Sequence, residues 1–455
     1  MSVPARRSQA RGSAGSWISG TPLPFLLAAA VEGMGGVAVY AYAPVFMRQA
    51  LGEPRLSVPA AGLALASLAT FLMAGRWGRW GDLTGRPARL VALGLAGAAL
   101  ALALLPLVPS SAGFIALLVA TTASLSAVMP LSVAWLTLRH PDRPGEAAAA
   151  LYRARSVGWA AGSFGSGWLA GRAGMAGIEL SYWLAAGMAL VAAAVVSGLA
   201  SRAPAAAPVT GGSGQAPLLA FAAGEAGPEG PGSSPADLRR PSRPLRGAGT
   251  VTPSPLPAPL PSPAASARPV WRYPAVVAIA VAVLFTAAGN EAFFAVFGPY
   301  LTEYLHGSSG QVGWALGIAS ALGILIMAPV GRLADRWGPQ RVFTLGILGY
   351  VVMYGLIAAF RTPLATVAAF ALPLYPLTAT GATGIISRTI PPERRGEGVG
   401  VYEGSAALAA SVGGALGGLV ADAAGLGSVP LVALALALAG TLVAWRWVAG
   451  GTGGR

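Results

Sequence analysis

The chain has 455 residues, of which 55% are hydrophobic and only 10% are charged. A soluble globular protein carries about 25% charged residues, so a water-soluble body of this size is excluded and lipid must form part of the solvent. The absence of cysteine excludes disulfides, thiolate catalysis and Cys-ligated metals. The net charge of +14 comes from arginines that lie between apolar runs, so we attribute it to the membrane and not to nucleic acid.

Apolar runs long enough to cross a membrane recur along the chain, since a spanning helix needs about 20 mostly apolar residues. We predict six in the first half, at 22–47, 58–77, 88–107, 113–137, 146–170 and 179–200. We predict six more in the second half, at 273–302, 310–331, 340–360, 363–387, 398–421 and 427–447. The predicted fold class is therefore an all-α membrane protein with twelve transmembrane helices.

The stretch between the two groups of helices has a different composition. It contains fifteen prolines, with proline at every second position from 253 to 263, and cannot bury a core, so we expect a disordered linker. The first run is too long for a cleaved signal peptide and is kept as a span. The predicted organisation has five parts: an N-terminal tail at 1–20, a six-helix half at 21–200, the linker at 201–271, a second half at 272–448 and a C-terminal tail at 449–455.

The placement of the arginines predicts the topology. With the N-terminus in the cytoplasm, the outer loops and helix ends hold only Arg48, Arg55, Arg172 and Arg361. The remaining arginines fall on the cytoplasmic side, as the positive-inside rule requires. We therefore expect a multi-pass protein of the cell (plasma or inner) membrane with the linker and both termini in the cytoplasm.

The two halves repeat each other at several landmarks with nearly constant spacing. The offsets lie between 251 and 255 residues for the pairs Gly78 and Gly331, Pro44 and Pro299, Gly145 and Gly396, Gly162 and Gly413, and Gly167 and Gly418. Two parallel six-helix repeats predict pseudo-symmetric halves with a binding site between them at the membrane midplane.

A short polar motif follows the second helix of each half. The first copy consists of Gly78, Asp82, Gly85, Arg86 and Arg89, and the second of Gly331, Asp335, Arg336, Gly338 and Arg341. The pattern resembles the signature loop of the major facilitator superfamily, Gly-x-x-x-Asp-(Arg)-x-Gly-(Arg/Lys)-(Arg/Lys). The first copy departs from it at Leu83 and Pro87. In both copies we expect the second glycine to permit a tight turn.

The resemblance implies the twelve-helix fold of that family and secondary transport by alternating access. It also implies a cytoplasmic gate, in which Asp82 and Asp335 touch the helix that begins at Gly396-Glu397 or Gly145-Glu146 in the opposite half. A carboxylate is favoured near a helix N-terminus. These contacts would close the cytoplasmic side and break when it opens; otherwise, the motif residues only set topology and turn shape.

Two acids lie deep in predicted spans, Glu32 in the first helix and Glu291 in the seventh. Acids at such depth are costly and usually mark a function. Since burial disfavours the charged form, such a carboxyl can take up a proton on one side and release it on the other. Glu32 shares a helical face with Gly36 and Tyr40. The alternative is a structural role, as a hydrogen bond or an ion pair with a buried arginine.

Further polar residues are predicted to line the same cavity. Arg153 and Arg155 point in nearly opposite directions, so at most one faces the cavity, and we favour Arg155 as the partner of Glu32 or of an anionic substrate. Asn290 and Glu403 are further candidates. Weaker ones are Tyr42, Thr286, Tyr375, Thr380 and Thr383, because polar residues also join helices to each other.

The sequence predicts an ion-coupled transporter of a small molecule, with protons as the favoured ion and drug or metabolite efflux favoured over uptake of a sugar or organic acid. A non-transporting membrane receptor of the same fold is the alternative. Helix 5 lacks the Gly-Pro pair of family antiporters, so it does not itself indicate export. A Gly-Lys-Ser/Thr loop is impossible without lysine. We expect no enzyme activity, cofactor, metal or nucleic-acid partner, and a monomer in the bilayer.

Overall fold

A computed structural model describes residues 23–139, 144–202, 270–391 and 395–449, and these residues form helices and short turns without a strand. The predicted N-terminal tail and most of the linker and C-terminal tail lie outside these ranges. The helices are α1 Leu23–Gln49, α2 Ser57–Thr84, α3 Pro87–Leu104, α4 Ser111–Leu125, α5 Val128–Arg139, α6 Pro144–Arg202, α7 Pro274–Phe294, α8 Phe297–Pro299, α9 Ser309–Trp337, α10 Pro339–Ala359, α11 Pro363–Phe370, α12 Tyr375–Thr389, α13 Arg395–Ala424 and α14 Val429–Val443.

Helix α6 holds two membrane spans. Its 59 residues would extend about 90 Å as one helix, against a hydrocarbon core of about 30 Å. Gly174 interrupts it with φ 56° and ψ −126°, a conformation that glycine adopts without a steric cost. Residues 144–173 form its first arm and residues 175–202 its second. With this division, the eleven helical stretches that are long and apolar enough to cross a membrane become the twelve predicted spans.

Three predicted spans are broken, although we expected continuous helices. Helices α4 and α5 share the span at 113–137, α11 and α12 share that at 363–387, and the span at 273–302 ends its long helix at Phe294. A proline follows each break, and its ring clashes with the carbonyl four residues earlier. The prolines are Pro130, Pro376 and Pro299, and the carbonyls belong to Ser126, Leu372 and Ala295.

The two motif loops are tight turns, as the sequence predicts. Gly85 follows α2 with φ 61°, and Gly338 alone separates α9 from α10 with φ 87°. A side chain at either position would meet the steric penalty of left-handed backbone. The glycines therefore allow consecutive spans to reverse direction at this end of the bundle, which we call the turn end.

Glycines also bring the backbones of α1 and α6 together. A Cβ on Gly158 would overlap the carbonyl oxygen of Ala30, and a Cβ on Gly33 would overlap that of Arg155. The second half repeats this contact between α7 and α13, where a Cβ on Gly417 would overlap the carbonyl oxygen of Ala292. In the first arm of α6, Gly162 and Gly167 also lie at close backbone contacts, with Met34 and Gly313, whereas Gly165 has open space around it.

The halves meet at the end of the bundle opposite the motif loops, which we call the closed end. The first arm of α6 packs on α9 through Gly167 and Gly313, where a Cβ on Gly167 would lie 3.0 Å from the Gly313 Cα. Helix α13 packs on α2 through Gly418 and Ser57, with a corresponding distance of 2.6 Å to the Ser57 Cα. All these residues lie in the half of their helix that is nearer this end.

Candidate functional site

An ion pair joins α1 to the first arm of α6 inside the first half. The Nε of Arg155 lies 2.5 Å from the Oε2 of Glu32, and the two side chains are 42% and 12% exposed. The two atoms are buried but not aligned as a hydrogen bond, so the contact is electrostatic. It depends on the glycine contacts at Gly33 and Gly158, which bring the two helices close enough for the side chains to meet.

The predicted face of Glu32, Gly36 and Tyr40 packs against the same arm of α6. A Cβ on Gly36 would lie 2.9 Å from the ring of Trp159, and the ring centroids of Tyr40 and Trp159 are 6.4 Å apart. The hydroxyl groups of Tyr40 and Ser67 are 3.5 Å apart. This face is therefore an aromatic wall next to the ion pair.

Glu291 lies near the boundary between the halves, in a different environment. Among the described residues, no arginine or histidine forms an ion pair with it. It lies within electrostatic range of Tyr350 in its own half and of Tyr40 in the other. Its neighbour Asn290 accepts a hydrogen bond of 3.0 Å from the hydroxyl of Tyr354. Tyrosines from both halves therefore lie near this carboxyl.

Glu403 brings a second acid of the C-terminal half towards the ion pair. Tyr375, also from that half, lies within electrostatic range of both Glu403 and Arg155. Tyr152 of the first half is near the same two charges. Arg153 is an exposed residue two positions from Arg155, on nearly the opposite side of its helix. Tyrosines of both halves therefore lie within electrostatic range of Arg155, Glu403 and Glu291.

Two of the weaker candidates lie elsewhere. Tyr42 is fully buried, and its hydroxyl donates to the carbonyl oxygen of Ser309 across the halves at 3.3 Å. Thr286 is buried, and its hydroxyl oxygen is adjacent to Gly440 of α14. Tyr42 therefore belongs to the contact that closes the bundle, and Thr286 to the packing of the second half.

The closed end is held by polar contacts that the sequence analysis missed. The Nη2 of Arg48 lies 2.7 Å from the Oε2 of Glu303 in the other half. The Nε of Arg48 donates to both oxygens of the same carboxylate. The same guanidinium donates to the carbonyl oxygens of Glu53 and Pro54. The repeat contains a signal for this pair, because Arg48 and Glu303 are 255 positions apart, the spacing of Pro44 and Pro299.

A second polar contact crosses the halves at the same end. The carboxylate of Asp422, near the end of α13, accepts hydrogen bonds from the backbone amides of Leu56 at 2.6 Å and Ser57 at 3.0 Å. These amides open α2, where a helix leaves its first donors without partners. A carboxylate from one half thus caps a helix of the other.

The motif residues lie at the turn end, away from these contacts. Asp335 is exposed and has no ion pair with any residue that the structure describes. The four arginines of the motif are also exposed, namely Arg86, Arg89, Arg336 and Arg341. The side chains of Asp82, Glu146 and Glu397 lie outside the described part of the structure, so the gate contacts stay a prediction. Within the described ranges, no group of three or more His, Asp or Glu residues could hold a metal.

A family profile described as the Major Facilitator Superfamily matches residues 25–287 and 279–452. A curated relative, the tetracenomycin C resistance and export protein of Streptomyces glaucescens, is 26% identical over 170 residues, which cover 37% of this chain and 31% of the relative. The chain thus matches about a third of that relative's length.

Solved structures of transporters have the same fold. The nucleoside transporter NupG superposes with a TM-score of 0.65 at 11% identity, covering 94% of this chain and 98% of that one. A bacterial homolog of the human lysosomal transporter Spinster, inward-facing and occupied, gives 0.65 at 16% identity, covering 93% and 96%. An autoinhibited peptide transporter of the POT family gives 0.64 at 13% identity, covering 95% and 97%. At these identities the likeness concerns the fold alone.

Proposed function

The chain belongs to the major facilitator superfamily of transporters, and from that premise we propose that it exports a small organic molecule by proton-coupled alternating access. The observation that carries the proposal is Glu291, a carboxyl between the halves with no cation paired to it among the described residues. Export, in preference to uptake, is supported by the relative named as a resistance and export protein.

We assign the proton to Glu291 and a structural role to Glu32. Glu32 is in contact with the guanidinium of Arg155 and so holds α1 against α6. Glu291 has no such partner, and an uncompensated buried charge is relieved by taking up a proton. Moving that proton inward along the membrane potential supplies roughly 2.3 kcal/mol per 100 mV.

The proposal also gives the protein an orientation in the membrane. With the N-terminus in the cytoplasm and arginines concentrated on that side, the closed end faces outward, and substrate enters the cavity from the cytoplasm. Arg48 with Glu303 and Asp422 with the start of α2 hold this state. After the switch, Asp82 and Asp335 close the cytoplasmic end while the outer contacts separate. The proposed unit is a monomer in the plasma membrane.

We propose that the substrate binds in the space around Tyr40, Arg155, Asn290, Glu291 and Glu403. Rings such as that of Tyr40 offer apolar faces, and small-molecule sites combine apolar surface with a few polar groups that fix orientation. Protonation of Glu291 and binding of the substrate beside it exclude each other, because they differ in charge and use the same volume. Export of the substrate is therefore coupled to entry of the proton.

The test compares two acids in the same assay. Wild type, Glu291→Gln and Glu32→Gln are expressed at matched membrane levels in an efflux-deficient bacterium and scored for growth against a panel of toxic compounds. Glu179→Gln is the matched control, because this acid lies at the start of the second arm of α6, away from the cavity. We expect wild type and the control to protect cells, and Glu291→Gln to lose protection.

Proteoliposomes with an imposed proton gradient then measure coupling directly. The expected result is substrate movement that follows the gradient in wild type and ceases to follow it in Glu291→Gln. Coupling that survives this change would refute the role of Glu291. Gradient-driven uptake in cells without any protection would favour the uptake carrier. Folded protein that transports nothing in either assay would favour the receptor.

A further inference from the structure

A groove on the outside of the first half lies between α3 and the second arm of α6. Its volume is about 570 Å³. Its apolar lining consists of four alanines, Ala92, Ala96, Ala193 and Ala194, and of Leu93 and Leu190. Alanine leaves open the space that a larger apolar side chain would fill, so small residues on both helices create the trough.

The polar residues of the groove lie at one end of it. Arg89 is in the first turn of α3, and Ser197 is near the end of α6. The two helices are antiparallel, so both residues lie at the turn end, while Ala96 is about two turns deeper. A spanning helix begins near the lipid headgroups and continues into hydrocarbon. The groove therefore has a polar mouth at headgroup level and an apolar trough below it.

The charge of the mouth is positive. Arg89 is exposed and has no ion-pair partner among the described residues, and no acid lines the groove. Helix α3 also starts at Pro87, and the positive end of a helix dipole favours anions. Arginine and a hydroxyl group are both donors suited to a phosphate.

We propose that this groove binds an acidic phospholipid, with its phosphate at Arg89 and Ser197 and an acyl chain along the alanines. The membrane supplies such a molecule at the required depth, and basic pockets between spanning helices bind acidic headgroups. The site is separate from the transport cavity, and the inference does not depend on the proposed substrate, direction or coupling ion.

The test uses the full-length protein in detergent with phosphatidylglycerol that carries a photoreactive group on its acyl chain. After illumination, labelled peptides are mapped by mass spectrometry, and the apparent Kd is measured by titration. We expect label on α3 and the second arm of α6, displaced by unlabelled phosphatidylglycerol but not by phosphatidylcholine. Arg89→Gln should weaken binding about fivefold, which is the contribution of one basic side chain near acidic lipid.

Two further variants separate this site from general effects of charge or folding. Ala194→Phe fills the trough from an exposed position and should remove the label while the protein remains monodisperse. Arg341→Gln removes an exposed arginine from the corresponding loop of the other half and should leave the label unchanged. Two results would overturn the proposal: equal displacement of the label by phosphatidylcholine and phosphatidylglycerol, or an equal loss of label in Arg89→Gln and Arg341→Gln.

Discussion

The two halves share one backbone arrangement but use their membrane acids differently. In each half, glycines on one helix press against the carbonyls of its neighbour, at Gly158 in the first half and at Gly417 in the second. In the first half this contact brings Glu32 to Arg155. In the second half Glu291 lies near Tyr350, and no arginine pairs with it among the described residues. The shared backbone arrangement thus sets where side chains can lie, and the residue types at those positions decide which of them carry charge.

The repeat spacing shows how complete this divergence is. The position of Arg155 corresponds, at the offset of 251, to Ala406. Gly162 packs on Met34 as Gly413 packs on Ala288, an offset of 254 along the first helix that places Thr286 at the position of Glu32. Thr286 is buried, and its hydroxyl has no hydrogen-bond partner in the described structure. These two positions of the second half therefore hold no counterpart of the ion pair, and among the described residues no cation pairs with its own acid, Glu291. The following predictions test this difference, beginning with the backbone contact on which both halves depend.

The largest effect is expected at the helix contact itself. In Gly158→Leu the new side chain would overlap the Ala30 carbonyl, and neither backbone can move without separating α1 from α6. We expect no monodisperse peak in size-exclusion chromatography of the detergent extract, and the same for Gly417→Leu in the other half. Gly165→Leu, with open space around it, is the control and should elute as wild type does. A normal peak for Gly158→Leu would contradict the packing.

The next largest effect is expected in the thermal stability of variants that break the pair between Glu32 and Arg155. Arg155→Gln leaves the Glu32 carboxyl without its partner, and breaking a fully buried pair costs about 3–5 kcal/mol. Since the Arg155 side chain is 42% exposed, we expect about 2 kcal/mol, seen as a lower Tm in detergent. The double variant Glu32→Gln with Arg155→Gln should recover most of this loss.

Replacing the membrane acid of each half by glutamine provides the contrast. Glu291→Gln removes no ion pair, so its Tm should equal or exceed that of wild type, whereas Glu32→Gln should lower it. A drop of equal size in both variants would mean that the two acids have equivalent structural roles, and would end the distinction drawn between the halves.

A smaller effect is expected where the halves touch at the closed end. Arg48→Gln removes the pair with Glu303, whose side chains are 22% and 26% exposed, and exposed pairs contribute at most about 1 kcal/mol. We expect the equilibrium constant between the closed and the open outer end to shift about fivefold towards the open state. Because the chain lacks cysteine, spin labels on Ala112→Cys and Ala424→Cys report the distance between the halves.

Two controls accompany this measurement. The charge exchange Arg48→Glu with Glu303→Arg should restore the short distance. Arg361→Gln alters an arginine at the same end whose hydrogen bonds to Ala358 and Tyr304 stay within one half, and should leave the distance unchanged. If Arg48→Gln also leaves it unchanged, the apolar and glycine contacts alone hold the closed end.

The smallest effect concerns the helix cap. Asp422→Asn keeps an oxygen for the amide of Leu56 but loses the charge, which at a helix N-terminus contributes about 0.3–1 kcal/mol. Hydrogen exchange at the amides of Leu56 and Ser57 should become about twofold faster. Ser428→Ala is the control, since its hydroxyl donates to Gly425 of the same half. Unchanged exchange would show that these amides are protected without the carboxylate.

Much of the fold follows from local properties of the chain. Long apolar runs predict the spans, and the glycines predict the turns and close contacts that the structure contains. The broken helices were missed because proline alone does not decide a break: Pro130 and Pro376 follow one, whereas Pro44 and Pro329 lie inside helices that continue. Neighbouring helices and local adjustments can satisfy the freed backbone groups in a membrane.

The candidate site was predicted residue by residue but not contact by contact. Arg155 was favoured as the partner of Glu32 or of an anionic substrate, and the structure pairs it with Glu32; the separation of the two residues along the chain could not decide between these partners. Arg48 and Glu303 could have been found from the repeat, because equivalent positions on equivalent helices meet where the two halves face each other. Asp422 had no such signal, since its equivalent position is Gly171, which packs against Gly310 without a polar contact.

By itself, the sequence determined the membrane environment, the number of spans and the duplicated halves, since all three follow from composition and spacing along the chain. Only the tertiary structure decided that Glu32 is paired, that Glu291 has no such cation among the described residues, and that the halves meet at the end opposite the motif loops. The physical reason is that these features join distant segments. A transporter of this kind also adopts more than one arrangement at similar free energy, so a single sequence is compatible with either end closed.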